Sequence, residues 1–241
     1  MAQIAVNPVP LFLGYEQPCS YLAGRTARMV YAPPDWPLDQ SLFSRLVACG
    51  FRRSGDLVYR PYCQACSDCI PVRIPVNSFK PNRSQRRVLK GNARVRAIVK
   101  PDDFELEHYH LYSRYLRARH PDSGMAEISP EEYQGFLSNP RWEGTRFVEF
   151  RENERLLAVA VIDLLMDGIS AVYTFFEPFE LNRSLGTLAV LWQVKEARRR
   201  GLDWVYLGFW IAECEKMNYK SAFQPLQRLT PAGWVPFDAM G

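Results

Sequence analysis

The sequence predicts an α+β protein in which a smaller cysteine-containing N-terminal domain, residues 1–100, precedes a domain with a mixed, mainly antiparallel sheet, residues 101–241. Two observations carry this prediction. The second half of the chain alternates helical and strand patterns, as expected for one sheet with helices packed against it. The charge also changes sign near residue 100, where a basic run free of Asp and Glu ends and a group of glutamates begins.

The first domain is predicted to contain short elements joined by turns. In chain order these are irregular or edge-strand structure over 1–36, a helix over 37–50, a hairpin over 51–59 with its turn at Ser54-Gly55-Asp56, a strand over 72–76, a basic helix start over 83–90 and a strand over 94–99. The first helix is predicted because Leu42, Leu46 and Val47 share one face and Gly50 follows its end. Cys49 lies on the same apolar face and is predicted to belong to the core.

The second domain is predicted to contain longer elements. They are helices over 104–119 and 129–137, strands over 146–151, 156–165 and 168–176, a helix over 184–200 and a strand over 204–207. Ser129 as N-cap, Pro130 at the first helical position and Glu132 three residues after the cap form a capping box. GNAT-type acyltransferases have the element order of two helices, an antiparallel meander, a helix and a further strand. The second half of this chain shows the same predicted order, so a GNAT-like domain is predicted by analogy.

Composition gives only mild constraints on function. The chain has 241 residues, a hydrophobic fraction of 47% and a net charge of +4, which alone does not imply nucleic acid. We find no signal-peptide pattern and no apolar run of membrane-spanning length, so a cytoplasmic protein without a membrane partner is expected. Cysteines in that compartment are usually free thiols, metal ligands or catalytic groups.

Three cysteines at C-x2-C-x2-C spacing, Cys63, Cys66 and Cys69, can converge on one ion, and Cys19 is the best candidate for a fourth ligand. Zinc takes four cysteines tetrahedrally, and the spacing also resembles that of iron–sulfur ligands. The alternative is a tight loop of reduced thiols without a ligand. The sequence therefore predicts zinc, a cluster or neither at this position, and no organic cofactor.

A basic run follows the cysteines and predicts binding of a polyanion. Arg83, Arg86, Arg87 and Lys90 fall within the predicted helix start and could neutralise several phosphates. Because Phe79 is the only aromatic residue nearby, recognition of folded RNA is favoured over stacking of single strands. The alternative is a solvated basic surface.

The long helix of the second half begins at Ser184-Leu185-Gly186-Thr187. Ser184 can cap it, and Gly186 removes a Cβ where another group could approach the helix N-terminus. Free N–H groups at such a terminus can hold a phosphate or a developing oxyanion. An ordinary capped core helix is the alternative.

Five segments together resemble the aminoacyl-tRNA–protein transferases, which add an amino acid to the N-terminus of a protein. They are CSYLAGRTARMVY (19–31), GFRRSGDLVYRPYCQACSDCIPVRIPV (50–76), NRSQRR (82–87), SLGTLAVLWQVKEARRRGL (184–202) and KMNYKSAFQP (216–225). The resemblance spans about residues 14–230 and is strongest to the bacterial aspartate/glutamate leucyltransferase branch.

The resemblance implies aminolysis of an ester, in which the N-terminal amine of an acceptor protein attacks the carbonyl carbon of leucyl-tRNA and marks the acceptor for degradation by the N-end rule pathway. The amine is the nucleophile, so no enzyme Ser or Cys nucleophile is needed. The implied site residues are Lys216, Tyr219, Lys220 and Glu177 for catalysis, Arg83, Arg86, Arg87 and Lys90 for tRNA, and Arg25, Arg60 and Arg73 for the acidic acceptor residue.

Three alternatives stay open from the sequence. The first is an acetyl-CoA-dependent acetyltransferase, although residues 182–187 match a pyrophosphate-binding loop poorly. The second is a metal-dependent nucleic-acid-binding module without catalysis, which would leave residues 184–225 without a role. The third is transfer of arginine from arginyl-tRNA. The sequence does not indicate an oligomeric state.

Overall fold

A computed structural model describes residues 9–119, 128–138 and 141–238. Its strands are β1 Phe12–Leu13, β2 Gln17–Pro18, β3 Thr26–Ala27, β4 Met29–Tyr31, β5 Arg52–Ser54, β6 Leu57–Pro61, β7 Ile70–Pro75, β8 Arg96–Lys100, β9 Thr145–Glu152, β10 Arg155–Leu164, β11 Gly168–Phe176, β12 Trp204–Trp210, β13 Gln227–Thr230 and β14 Gly233–Pro236. Its helices are α1 Gln40–Ala48, α2 Arg83–Gly91, α3 Leu106–Arg119, α4 Pro130–Leu137, α5 Leu185–Arg199 and α6 Glu215–Asn218, with 3-10 turns at Leu181–Arg183 and Tyr219–Ala222.

The predicted α+β class with a mainly antiparallel sheet is confirmed. Eight strands form one sheet in the order β14-β13-β7-β12-β11-β10-β9-β8. The pairs are antiparallel except for β11 and β12, which run parallel. Both β7 and β8 come from the predicted first domain, so the sheet crosses the predicted boundary at residue 100.

Helices cover both faces of the large sheet because its central strands are apolar on both sides. On β10, Ala158 and Ala160 belong to the cluster packed around α5, while Val159 and Val161 belong to the cluster around α3 and α4. This alternation follows from the two-residue period of a strand. The sheet therefore lies between α5 on one face and the α3–α4 pair on the other.

A smaller sheet with the order β1-β4-β6-β5 carries α1 and its own apolar cluster. The helix is capped by Asp39, whose side chain accepts a hydrogen bond from the Leu42 amide. Phe43 and Val47 are buried, but Cys49 is exposed. The prediction that Cys49 belongs to the core is wrong, because the residue lies past the last helical turn, at the C-cap.

The two sheets are joined by a buried ion pair between Arg53 on β5 and Asp163 on β10. Arg53 Nε and Nη2 lie 2.8 and 3.0 Å from the two carboxylate oxygens, and both side chains are at most 1% exposed. Arg53 Nη1 also donates to the Leu137 carbonyl oxygen at 2.9 Å, and the Thr145 hydroxyl donates to Asp163 at 2.8 Å. The charges are therefore paired and hydrogen-bonded, as burial requires.

Both predicted helix starts at 83 and 130 are confirmed. Asn82 and Gln85 form a capping box for α2, and Ser129 and Glu132 form one for α4. Within the described ranges, none of the helices is both long and apolar enough to cross a membrane.

We predict that Asp163→Asn lowers the free energy of unfolding by about 3–5 kcal/mol, because it leaves the Arg53 charge buried without its partner. Lys100→Gln is the control, since the exposed Lys100–Glu105 pair should contribute about 0–1 kcal/mol. Urea denaturation of both variants measures the difference. Equal losses in the two variants would contradict a special role for the buried pair.

Candidate active site

The parallel strands β11 and β12 separate soon after they meet. They pair only from Gly168–Trp204 to Ser170–Tyr206, and beyond this point β12 continues beside β7. The register on β12 shifts between Tyr206 and Gly208, and Gly208 has a φ of +79°. This backbone conformation favours glycine. A gap therefore opens in the large sheet between the C-terminal parts of β11 and β12.

Arg52, at the start of β5, reaches this gap. Its Nη1 donates to the Ser170 hydroxyl at 2.9 Å, and its Nη2 donates to the Ala171 carbonyl oxygen, both on β11. On the other side, a Cβ added to Gly208 would lie 3.1 Å from Arg52 Nε. The guanidinium thus fills the space between the diverging strands, and burial lowers its pKa.

Lys220 approaches the same segment of β12. Its Nζ donates to the Phe209 carbonyl oxygen at 2.5 Å and lies 3.3 Å from Met217 Sδ, and the residue is 5% exposed. Burial first, and then the positive charge of Arg52, lower the pKa of the Lys220 ammonium to about 7. A lysine with this pKa can exchange a proton at neutral pH, which an ordinary surface lysine cannot.

The other predicted catalytic residues differ in their exposure to solvent. Tyr219 is half-exposed, and its ring centroid lies 5.5 Å from Lys220 Nζ. Lys216 is exposed on the short helix α6. Glu177 is 7% exposed after the end of β11 and pairs with Arg114 on α3 at 3.2 Å. Of this set, Lys220 is both buried and hydrogen-bonded to β12 beside the opening between β11 and β12, and the roles of all four stay predictions.

Two of the predicted acceptor-binding arginines have partners within the protein. Arg25 Nη1 lies 2.7 Å from Asp68 Oδ2 and its Nη2 lies 3.6 Å from Glu213 Oε2, so it ties the cysteine loop to the segment before α6. Arg60 Nη1 donates to the Cys49 carbonyl oxygen at 3.2 Å.

Arg73 on β7 is held by two tryptophans. Its guanidinium carbon lies 3.4 Å from the ring centroid of Trp204 and 4.3 Å from that of Trp234. Its Nε donates to Gln227 Oε1 at 2.9 Å. Burial lowers the pKa of Arg73, and the aromatic faces favour its cation. These contacts are those of a packed structural arginine.

The cysteines form a loose group around Cys69. Burial first, and then the nearby thiols of Cys19, Cys63 and Cys66, raise the pKa of the Cys69 thiol to about 12. All six cysteines of the chain are free. Among the residues that the structure describes, no group of three or more His, Cys, Asp or Glu side chains is placed to hold a metal ion. Zinc or a cluster at this loop stays a prediction.

The predicted tRNA-binding residues share one face of α2. The four residues are exposed and recur at three- and four-residue intervals: Arg83, Arg86, Arg87 and Lys90. Gln85 is buried on the opposite side of the helix. Their charges can therefore act together on one polyanion.

The start of α5 lies beside this basic face. Arg87, Asn92, Asn182 and Ser184 line one cavity of about 250 Å³. Ser184 has a φ of +51° and its side chain makes no cap hydrogen bond, so the prediction that it caps α5 is wrong. A Cβ on Gly186 would meet only the Phe176 ring, at 3.5 Å.

Helix α2 joins the cavity to the Lys220 segment. Near its N-terminus, Gln85 Nε2 donates to the Ala222 carbonyl oxygen at 3.1 Å. At its C-cap, Asn92 Nδ2 donates to the Arg183 carbonyl oxygen at 2.9 Å. These contacts are about 10 Å apart along the helix axis. The start of α5 and the Lys220 segment therefore contact opposite ends of α2.

Sequence reasoning missed Arg52. It adjoins Arg53, and neighbouring residues of a strand point to opposite faces, so only one of the two could join the ion pair. The Arg52-Arg53 doublet was therefore a signal that two different roles exist, but nothing in the sequence said which arginine has which role.

Comparisons with known proteins agree with the resemblance noted in the sequence. The family model "Arginine-tRNA-protein transferase, N terminus" matches residues 17–87, and "Arginine-tRNA-protein transferase, C terminus" matches residues 107–230. An aspartate/glutamate leucyltransferase from Nitrosococcus oceani is 50% identical over 92% of this chain and 94% of its own length. One from Pseudomonas savastanoi pv. phaseolicola is 50% identical over 90% of this chain and 92% of its own.

A solved structure shares the fold at low identity. It is the C-terminal DUF2156 domain of a protein assigned as a lysylphosphatidylglycerol synthetase from Agrobacterium fabrum, with a TM-score of 0.50 and 14% identity. The likeness covers 81% of this chain and 62% of that one, so it supports the fold alone.

We predict that Arg86→Ala combined with Arg87→Ala weakens tRNA binding and reduces the slope of log affinity against log salt by about 2, because each arginine neutralises about one phosphate. Arg199→Ala with Arg200→Ala is the matched control, since it removes the same charge at the far end of α5, where both residues pair with Glu196. Filter binding at several salt concentrations measures both slopes. An unchanged slope in the α2 variant would refute the RNA assignment.

Proposed function

The chain belongs to the arginine-tRNA-protein transferase family and is an aminoacyltransferase, and we propose that it transfers leucine from leucyl-tRNA to the N-terminal Asp or Glu of acceptor proteins. The observation that carries the proposal is about 50% identity over about 90% of the chain to relatives named aspartate/glutamate leucyltransferases. The same relatives favour leucine over arginine as the donor. They also favour tRNA over acetyl-CoA, and an enzyme over a binding module.

The reaction forms an amide bond and breaks an ester bond. The α-amine of the acceptor attacks the leucyl carbonyl carbon, and the carbonyl oxygen carries negative charge in the tetrahedral intermediate. The intermediate collapses with loss of the ribose oxygen of tRNA. The amine gives up a proton, and the departing tRNA oxygen takes one up, so the reaction needs no oxidant, reductant or external acid.

Lys220 is the proton acceptor in this proposal. With a pKa of about 7, a large share of its side chain is neutral at physiological pH and can take the proton of the attacking amine. The resulting ammonium can return that proton to the tRNA oxygen. Glu177, which pairs with Arg114, is the alternative base. Tyr219 and Lys216 lie on the same short segment and contact the substrates from its exposed side.

The tRNA lies along α2. Its phosphates contact Arg83, Arg86, Arg87 and Lys90, and one phosphate enters the cavity at the start of α5 beside Ser184 and Gly186. The contact between Gln85 and Ala222 supports this arrangement, because it brings the basic helix against the Lys220 segment. The aminoacylated end of the tRNA can then reach the gap between β11 and β12.

A GNAT-like domain and a cytoplasmic location complete the proposal. The parallel strands β11 and β12, which separate after three paired positions, support the GNAT-like assignment. Transfer of leucine gives the acceptor a new N-terminal residue that marks it for degradation by the N-end rule pathway.

The thiols of Cys19, Cys63, Cys66 and Cys69 hold a structural zinc ion or an iron–sulfur cluster in this proposal. The thiols of Cys19, Cys63 and Cys66 lie near enough to Cys69 to raise its pKa, and four neighbouring thiols are a chemically suitable donor set. A bound cation would also stabilise thiolates, which burial disfavours at Cys69. Zinc, iron and sulfide content of the purified protein tests the assignment, and fewer than about 0.1 equivalents of any metal would contradict it.

The donor and acceptor are tested in one experiment. The protein is incubated with leucyl-tRNA or arginyl-tRNA and with peptides that begin with Asp, Glu or Asn, and the products are weighed by mass spectrometry. We expect addition of leucine to the Asp and Glu peptides only. Addition of arginine, or acetylation when acetyl-CoA replaces the tRNA, would overturn the proposal.

For Lys220, we predict that kcat/KM, which reports the free enzyme, rises with pH up to about 7 and then levels off, because the ammonium form cannot accept a proton below its pKa. Lys220→Met should lower kcat by roughly 10²–10⁴-fold and remove this inflection. Lys195→Met, which changes an exposed lysine of α5, is the control and should keep the wild-type profile. An inflection that persists in Lys220→Met would assign the titration to another group.

A further inference from the structure

We propose that Arg52 binds the side-chain carboxylate of the acceptor's N-terminal Asp or Glu and is thereby the residue that determines acceptor specificity. The inference rests on the proposed function and names the residue that the acidic substrate meets.

Arg52 is a partly buried cation that has no acidic partner among the described residues. Its bonds to Ser170 and Ala171 go to neutral oxygens. Within the described parts of the chain, no carboxylate lies within salt-bridge distance of it, whereas the adjacent Arg53 pairs with Asp163. A guanidinium has more N–H donors than these two bonds use, and burial of an unpaired charge is unfavourable. The site is therefore electrostatically incomplete without an anion.

Two of the three arginines predicted for this role are occupied, and the third, Arg60, contacts Cys49 and Phe51 instead of the gap. Arg25 pairs with Asp68 and Glu213, and Arg73 is enclosed by Trp204 and Trp234. A carboxylate would have to displace these partners, whereas at Arg52 it would fill a vacant position.

The location also suits the reaction. Arg52 lies against Gly208, and Lys220 donates to the carbonyl oxygen of the next residue, Phe209. The two side chains therefore contact adjacent residues of β12, and the Arg52 cation lies close enough to lower the pKa of Lys220. In an N-terminal Asp or Glu, the side-chain carboxylate and the α-amine are only a few bonds apart. A carboxylate on Arg52 would hold the amine beside Lys220, which must accept its proton.

The arrangement explains why Asp and Glu are both accepted and why their amides would not be. A guanidinium presents parallel N–H donors that match the two oxygens of a carboxylate. An amide offers one oxygen, and its NH2 group would point at the cation. Arg52 has partial access to solvent, so a flexible peptide terminus can enter and can place either side-chain length.

The test uses the full-length protein, leucyl-tRNA and two labelled peptides that differ only in beginning with Asp or Asn. Fluorescence anisotropy gives the Kd of each peptide, and transfer assays give KM and kcat. In Arg52→Gln we expect the Kd and KM for the Asp peptide to rise roughly 10–100-fold, while the Kd of the Asn peptide hardly changes. Arg52→Lys keeps the charge without the fork and should give an intermediate KM with Asp still preferred. Arg45→Gln, an exposed arginine of α1, is the matched control and should behave as wild type.

The outcomes are distinguishable. An Asp-to-Asn Kd ratio in Arg52→Gln equal to that of the wild type overturns the inference. A fall in kcat without a change in KM also overturns it, since Arg52 would then act on the leucyl ester. If Arg52→Gln does not fold, as circular dichroism would show, the ratio in Arg52→Lys decides the question, and an unchanged KM there refutes the inference. Failure of the wild type to transfer leucine to any peptide would instead refute the proposed function.

Discussion

The buried ion pair between Arg53 and Asp163 determines how the rest of the site is arranged. It fixes a hairpin from the small N-terminal sheet onto the centre of the large sheet, with both charges removed from water and fully hydrogen-bonded. Because neighbouring residues of a strand point to opposite faces, fixing Arg53 also fixes the direction of Arg52. The position of Arg52 in the gap between β11 and β12 thus depends on a contact that takes no part in chemistry.

The position of Arg52 also affects the pKa of Lys220. Its ammonium is buried and lies near the Arg52 cation, and both effects favour the neutral amine. A carboxylate that neutralised Arg52 would weaken the second effect and raise the pKa of Lys220. Acceptor binding would then make Lys220 a stronger base at the moment when a proton must be accepted. In the proposed reaction, substrate recognition and proton transfer are coupled through the electrostatic interaction between Arg52 and Lys220.

The packing of α2 and of the cysteine loop places the predicted substrate-binding residues outside the gap between β11 and β12. Helix α2 has one basic face for a polyanion and one buried residue, Gln85, that contacts the segment carrying Lys220. The cysteine loop is joined to the segment before α6 by Arg25, which pairs with both Asp68 and Glu213. In the proposed reaction, the large substrates lie on the outer surfaces and the reacting groups meet in the gap between β11 and β12.

The sequence by itself determined most of the elements, the capping box at Ser129, the helix start at residue 83 and the basic face of α2. These features depend on residues a few positions apart, and local periodicity and capping chemistry report them directly. Only the tertiary structure decided that strands on both sides of residue 100 share one sheet, that Arg73 is enclosed by Trp204 and Trp234, that Ser184 does not cap its helix, and that Arg52 rather than Arg53 faces the gap. Each of these outcomes depends on contacts between residues distant in the chain or on backbone conformation set by packing, neither of which a local pattern encodes.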